Sequence, residues 1–222
     1  MKNTLLTLLF IFIAATVHPQ RVIVGYSVGY GTYNMTDMKN YMKSVDAEMP
    51  SYVKLLDNFP GGLTHTVYAG TRIDRVEIGA SGGYLTSGAK LSYADYSGEI
   101  MYKLVTSGVK IGAYVRYFFS SPDALFSVYG EVAPAVVASK FRSESMIRIY
   151  EEQMPLTQDV TAQSTDFSLQ PMLGLNIRVV KPVTVNLSGG YDLTIASKIR
   201  DLGNFKLNWS GFRVNGGISV LF

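Results

Sequence analysis

The sequence predicts an all-β protein, an eight-stranded antiparallel transmembrane β-barrel with a short helix in its first external loop. Three observations predict it. In segment after segment, apolar residues alternate with small or polar ones, the period of a strand that faces two different environments. The connections between those segments are alternately short and long, as in barrels with close turns on one side of a membrane and elaborated loops on the other. Beyond residue 20, no stretch is apolar over the roughly 18 residues that a helical crossing requires. Any crossing must then be a closed barrel, because lipid offers no partner to an open strand edge.

Composition agrees with this reading. With 21 Gly, 15 Tyr and 11 Phe in 222 residues, the chain suits one domain of strands and turns better than a helical bundle. Residues 1–20 read as a cleavable signal peptide and residues 21–222 as the barrel domain. Lys2 precedes an apolar run over residues 5–15, which at about 11 residues is too short for a membrane anchor. Small residues near Ala14 and Ala15 leave the cut open between residues 15 and 20. The absence of Cys excludes a lipoprotein attachment and a disulfide framework. Twenty Lys and Arg against 17 Asp and Glu leave a small net charge that implies no nucleic-acid partner.

The first strand, residues 22–33, sets Val22, Val24, Tyr26, Val28 and Tyr30 against Gly25, Ser27, Gly29 and Gly31. The large face suits lipid and the small face a crowded lumen. Residues 34–62 are too long for a turn. Within them Met38, Tyr41, Met42, Val45 and Met49 recur at helical spacing, with Thr36 or Asp37 placed to cap the start. This helix either rests on the outer leaflet, caps the barrel mouth, or simply packs within its loop.

The second strand, residues 63–73, ends at a short turn, Asp74 and Arg75, and the third begins at Val76. The fourth descends through Val109, Ile111, Ala113, Val115 and Tyr117 opposite inward Lys110, Gly112, Tyr114, Arg116 and Phe118. These two overshoot the membrane, so residues 88–108 project as a hairpin; a turn at Thr106, Ser107 and Gly108 would instead make ten strands. A turn over residues 120–123 leads to the fifth strand, where Pro134 predicts a bulge because it removes a ladder hydrogen bond. Residues 141–165 read as the third external loop. The sixth and seventh strands flank the Lys181-Pro182 turn, and residues 196–209 form the last loop.

The closing strand, residues 210–222, carries Phe212, Val214, Ile218, Val220 and Phe222 on one face and ends on an aromatic residue. This pattern resembles the closing strand of small bacterial outer-membrane β-barrels of the OmpA/OmpX-like kind. The resemblance covers most of the chain. It implies a Gram-negative outer-membrane location, outer-membrane lipid around the barrel, and recognition of the C-terminal strand by the barrel assembly machinery. It also implies a structural or adhesive role through the external loops, with the projecting hairpin as the candidate contact for a protein partner, since exposed strand edges recruit further strands. Aromatic residues fall in two belts, Tyr30, Tyr84, Phe167 and Phe212 outside and Phe119, Phe126 and Phe222 inside. A soluble barrel would reverse the faces.

Seven charged residues fall on the inward face: Arg72, Glu77, Arg116, Glu131, Arg178, Asp192 and Arg213. Charges in a narrow lumen must pair, so these predict a polar network that plugs the barrel. A small-solute or ion channel selected by the same charges is the alternative. A lipid-modifying enzyme is the third reading, with His65 as its only histidine after signal removal. No catalytic constellation is predicted, since Thr64-His65-Thr66 lacks the His-x-Ser pairing of the outer-membrane deacylases. No metal cluster or cofactor motif is predicted either.

Overall fold

The computed structural model describes residues 21–49, 53–94, 96, 98–149, 156–195 and 205–222. The predicted signal peptide, the tip of the third loop and residues 196–204 of the last loop lie outside these residues. Strands β1 (Arg21–Gly31), β3 (Gly62–Ile73), β4 (Val76–Ala94), β5 (Gly98–Phe118), β6 (Phe126–Ile149), β7 (Leu156–Val180), β8 (Val183–Ile195) and β9 (Gly211–Leu221) form the wall. Helix α1 (Thr36–Glu48) and a short strand β2 (Lys54–Asn58) fill the first long connection. Each wall strand pairs antiparallel with its neighbour, and β1 joins both β3 and β9. The chain is therefore a closed eight-stranded antiparallel barrel. Closure by β9 leaves no edge for lipid to solvate.

The faces are those of a membrane barrel. Outward Val24, Tyr26, Ile111, Leu173, Val214 and Ile218 are exposed, whereas inward Ser27, Ser127, Asn176 and Ser219 are buried. A crossing needs only about 9–11 residues. β1, β3, β8 and β9 are near this length, at 11 to 13 residues, but β4 to β7 run for 19 to 25. The excess lies opposite the short turns, where four strands rise as a half-cylinder.

Along these four strands the two faces exchange chemistry. The outward row Tyr84, Val109, Val136 and Phe167 marks the outer edge of the apolar belt, and above it Lys90, Lys103 and Lys140 take the outward positions. Inward, the polar lumen gives way to buried Leu85, Ala89, Leu91, Leu104, Val137, Phe141 and Ala162. An apolar concave wall in water needs a cover. Met38 and Met42 of α1, with Met35, Phe59, Leu207 and Trp209, complete a single apolar core there. Each fully buried side chain of this size contributes about 1.5–3 kcal/mol.

Several expectations change. Residues 141–165 are not a loop, because β6 continues to Ile149 and β7 starts at Leu156, register intact. Polar composition misled there, since above the membrane the outward face is wet. Thr106, Ser107 and Gly108 sit in mid-strand opposite Ser87, Thr86 and Leu85, so there are eight wall strands and not ten. The projecting hairpin lacks a free edge along its first strand: β2 pairs with Ala89, Lys90, Leu91 and Ser92. Pro134 makes no bulge. The β5–β6 ladder passes from Gly112–Ala135 to Val115–Val132 without a register shift, and Pro171 opens the β7–β8 ladder in the same way. Helix α1 has no side-chain cap; Met35 enters it with φ 42°, and the Asp37 carboxylate instead accepts the Lys206 amide at 3.1 Å.

Candidate functional site

The inward residues of four consecutive strands bring opposite charges face to face. The two-residue turn at Asp74 and Arg75 fixes the register of β3 against β4, so Arg72 stands opposite Glu77. Glu77 then stands opposite Arg116, and Arg116 opposite Glu131. Directly opposed side chains start only about 4.5–5.5 Å apart at Cβ, and here they close into a chain of ion pairs. Arg72 reaches Glu77 at 2.8 Å, and Arg116 bridges Glu77 at 3.0 Å and Glu131 at 2.7 Å. The Tyr114 hydroxyl donates to Glu77 at 3.1 Å. Glu77 is fully buried, so only this company of donors makes its charge tolerable. Aromatic faces hold the guanidinium groups from the side, Phe118 under Arg72 at 4.5 Å and Tyr129 under Arg116 at 4.3 Å.

A second cluster lies toward the outer mouth. Lys110 of β5 crosses to Asp192 of β8 and to Gln170 of β7, each at 2.7 Å. Ser168 donates to the other Asp192 oxygen at 2.7 Å, and Arg213 approaches Asp192 at 3.5 Å. Arg213 also donates to the Trp209 carbonyl at 2.6 Å and lies over the Tyr33 ring at 4.9 Å. It thereby ties the polar lumen to the apolar cap. Between the clusters is a cavity of about 60 Å³ bordered by Tyr68, Lys110, Tyr114, Arg116, Glu131 and Asn186, room for a few water molecules.

Six of the seven predicted lumen charges thus fall into two groups, Arg72, Glu77, Arg116 and Glu131 in one and Asp192 and Arg213 in the other. The seventh, Arg178, belongs to neither. It lines the mouth at the short-turn end and makes no ion pair among the described residues. The ladder slips between Arg178 and Val180, so the strand is irregular just beyond Arg178. Lys110, which parity places inward but which the predicted network omits, joins the second cluster. The closing-strand residues Phe212, Val214, Ile218 and Phe222 are exposed toward lipid and Val220 is half-buried.

Above Arg213, the cap covers the mouth. Trp209 is fully buried, donates from Nε1 to Ser139 at 2.8 Å and meets Tyr33 edge-on with centroids 5.0 Å apart. The Tyr41 and Tyr102 hydroxyls are 3.0 Å apart and join α1 to the raised wall. That hydrogen bond, with partial burial, pushes the Tyr41 phenol up to about 12. The Lys39 ammonium is lowered by burial and by Lys43 beside it, while its Nζ donates to the Tyr33 carbonyl at 2.8 Å. His65 lies on the outward face opposite Tyr84, with Nδ1 at 2.7 Å from the Tyr26 hydroxyl.

No known family model matches the sequence, and no curated protein does. Solved structures do show a likeness. Neisserial surface protein A is 14% identical, with 92% of this chain and 100% of that one covered at a TM-score of 0.46. The outer membrane protein OprG of Pseudomonas aeruginosa is 12% identical, covering 91% and 95% at 0.45. Ail, the attachment invasion locus protein of Yersinia pestis, is 14% identical, covering 91% and 98% at 0.38. The likeness is one of fold. The barrel itself is established by its own closed ladder.

Proposed function

We propose that this chain is an integral outer-membrane β-barrel whose lumen is plugged, and which serves a structural or adhesive role through the raised outer wall and its cap. The observation that carries the reading is the doubly closed interior. Two ion-paired clusters cross the lumen, the cavity between them is only about 60 Å³, and the apolar core of α1, Phe59 and Trp209 lies over the mouth. An eight-stranded barrel is just wide enough for side chains to fill it. The outward face of β4 to β7 above the membrane is then the surface offered to a protein partner, and β9 the strand offered to the assembly machinery. The reading is non-catalytic, and His65 acts as an interfacial residue anchored by Tyr26.

The test is conductance of the refolded full-length chain in planar bilayers. A plugged barrel adds no discrete, long-lived conductance above the lipid baseline. Stable unit conductances in the unaltered protein would overturn the plug in favour of a small-solute or ion channel. Lipid hydrolysis or acyl transfer that disappears in His65→Ala would overturn the non-catalytic reading.

A further inference from the structure

We infer that the short-turn mouth of the barrel is a binding site for a phosphate group, held by Arg178 and Lys181. The mouth opens into a cavity of about 380 Å³ lined by Arg21, Arg72, Arg178, Lys181, Asp123 and Thr184, with Leu221 and Phe222 at its apolar side. Four basic side chains therefore face one acidic side chain. Two of them are already committed: Arg72 to Glu77 at 2.8 Å, and Arg21 to Asp123 at 2.5 Å. Arg178 and Lys181 have no acidic partner among the described residues, yet Arg178 is half-buried.

A partly desolvated guanidinium without a counter-charge is costly, and an oxyanion is the ligand that relieves it. Guanidinium presents two parallel N–H donors that match two oxygens of one phosphate, while the Lys181 ammonium adds a third donor from the turn. Thr184, directly opposite Arg178 in the ladder, also lines the cavity, with its hydroxyl held by Ser219 Oγ at 2.7 Å. Two residues along β7 from Arg178, outside the cavity lining, both polar atoms of the buried Asn176 amide lack a hydrogen-bond partner. Around the mouth, Phe119, Leu125, Phe126, Val179, Val180 and Phe222 are exposed. This apolar rim places the cations at headgroup level, where the phosphate of an anionic lipid and a free phosphate are the two sources of the same group.

The experiment uses the full chain refolded in a phosphate-free nonionic detergent, titrated calorimetrically with inorganic phosphate. A second arm places the same protein in bilayer discs of phosphatidylcholine with or without phosphatidylglycerol and measures retained phosphatidylglycerol by native mass spectrometry. The expected result is saturable phosphate binding that weakens at least tenfold in the double variant Arg178→Gln/Lys181→Gln. Lys181→Gln alone lies in an exposed turn outside the wall and weakens binding to an intermediate degree; unchanged heat-modifiable mobility verifies its fold. Retained phosphatidylglycerol displaced by free phosphate identifies the lipid headgroup as the source, while phosphate binding without lipid retention identifies a free anion. Absence of saturable phosphate binding, or binding unchanged in both variants, overturns the site.

Discussion

Glu77 and Arg116 face each other across the β4–β5 ladder, their charged groups 3.0 Å apart and both buried. Glu77 is the shared partner of Arg72 and Arg116, so neutralising it leaves two buried guanidinium groups short of a counter-charge. Glu77→Gln is expected to destabilise the barrel by about 3–5 kcal/mol, read as a lower urea midpoint for unfolding from lipid vesicles. Arg178→Gln, which breaks no ion pair of the network, should not lower that midpoint in phosphate-free buffer and zwitterionic vesicles. Equal effects from the two substitutions would refute the separation of Arg178 from the plug.

The cap carries its own reporter, because Trp209 is the only tryptophan and is fully buried against Tyr33. Met42→Ala removes a buried side chain from the core that seals it, loosening the cap by about 2–5 kcal/mol. Trp209 emission should shift to the red and become accessible to acrylamide, while the heat-modifiable mobility of the barrel is retained. Loss of the folded barrel band would show that cap and barrel form one cooperative unit.

Tyr41 gives the cap a pH dependence. Its phenol is raised from the ordinary value of 10.0 to about 12, first by the Tyr102 hydrogen bond and then by burial. The folded cap therefore holds its proton where the unfolded chain releases it. The associated stability is complete below about pH 10, declines as pH rises toward 12, and changes no further once both states are ionised. Difference absorbance of tyrosinate between the unaltered protein and Tyr41→Phe should show a group titrating near pH 12, and Tyr102→Phe should move it downward. A group titrating at 10 in the folded protein would refute the linkage.

Glycines at the lumen wall differ from those facing lipid. A Cβ on inward Gly79 would come within 2.2 Å of the Ala69 carbonyl oxygen and 2.7 Å of both Gly70 Cα and the Tyr114 ring, contacts mostly with backbone of the neighbouring strand that cannot step aside. On outward Gly82 the nearest atom would be a Val67 methyl at 3.8 Å. Gly79→Ala should strongly reduce the fraction that refolds to the fast-migrating form, and Gly82→Ala should leave it unchanged.

By itself, the sequence determined the membrane-spanning part of the protein. Alternation in residues 22–33, 63–73 and 183–195 assigned each side chain to lipid or lumen, because a strand has only two faces. The short turn at Asp74 then set the register that opposes Arg72 to Glu77, whereas next to the Lys181 turn a slip between Arg178 and Val180 resets the ladder so that Arg178 faces Thr184. Tertiary structure alone decided the part above the membrane. There the solvent outside the wall changes from lipid to water, so the same alternation reverses its meaning. The polar outward residues of 141–165 looked like a loop, although Phe141 and Ala162 were facing a core. That core exists only because α1 and β2, in the first long connection, meet Trp209 from the far end of the chain over one mouth. Strand β2 lacks alternation and forms because the overshooting edge of β4 offers it a ladder. Lys110 finds Asp192 and Gln170 across the lumen, a contact set by barrel closure and strand stagger rather than by any spacing along the chain.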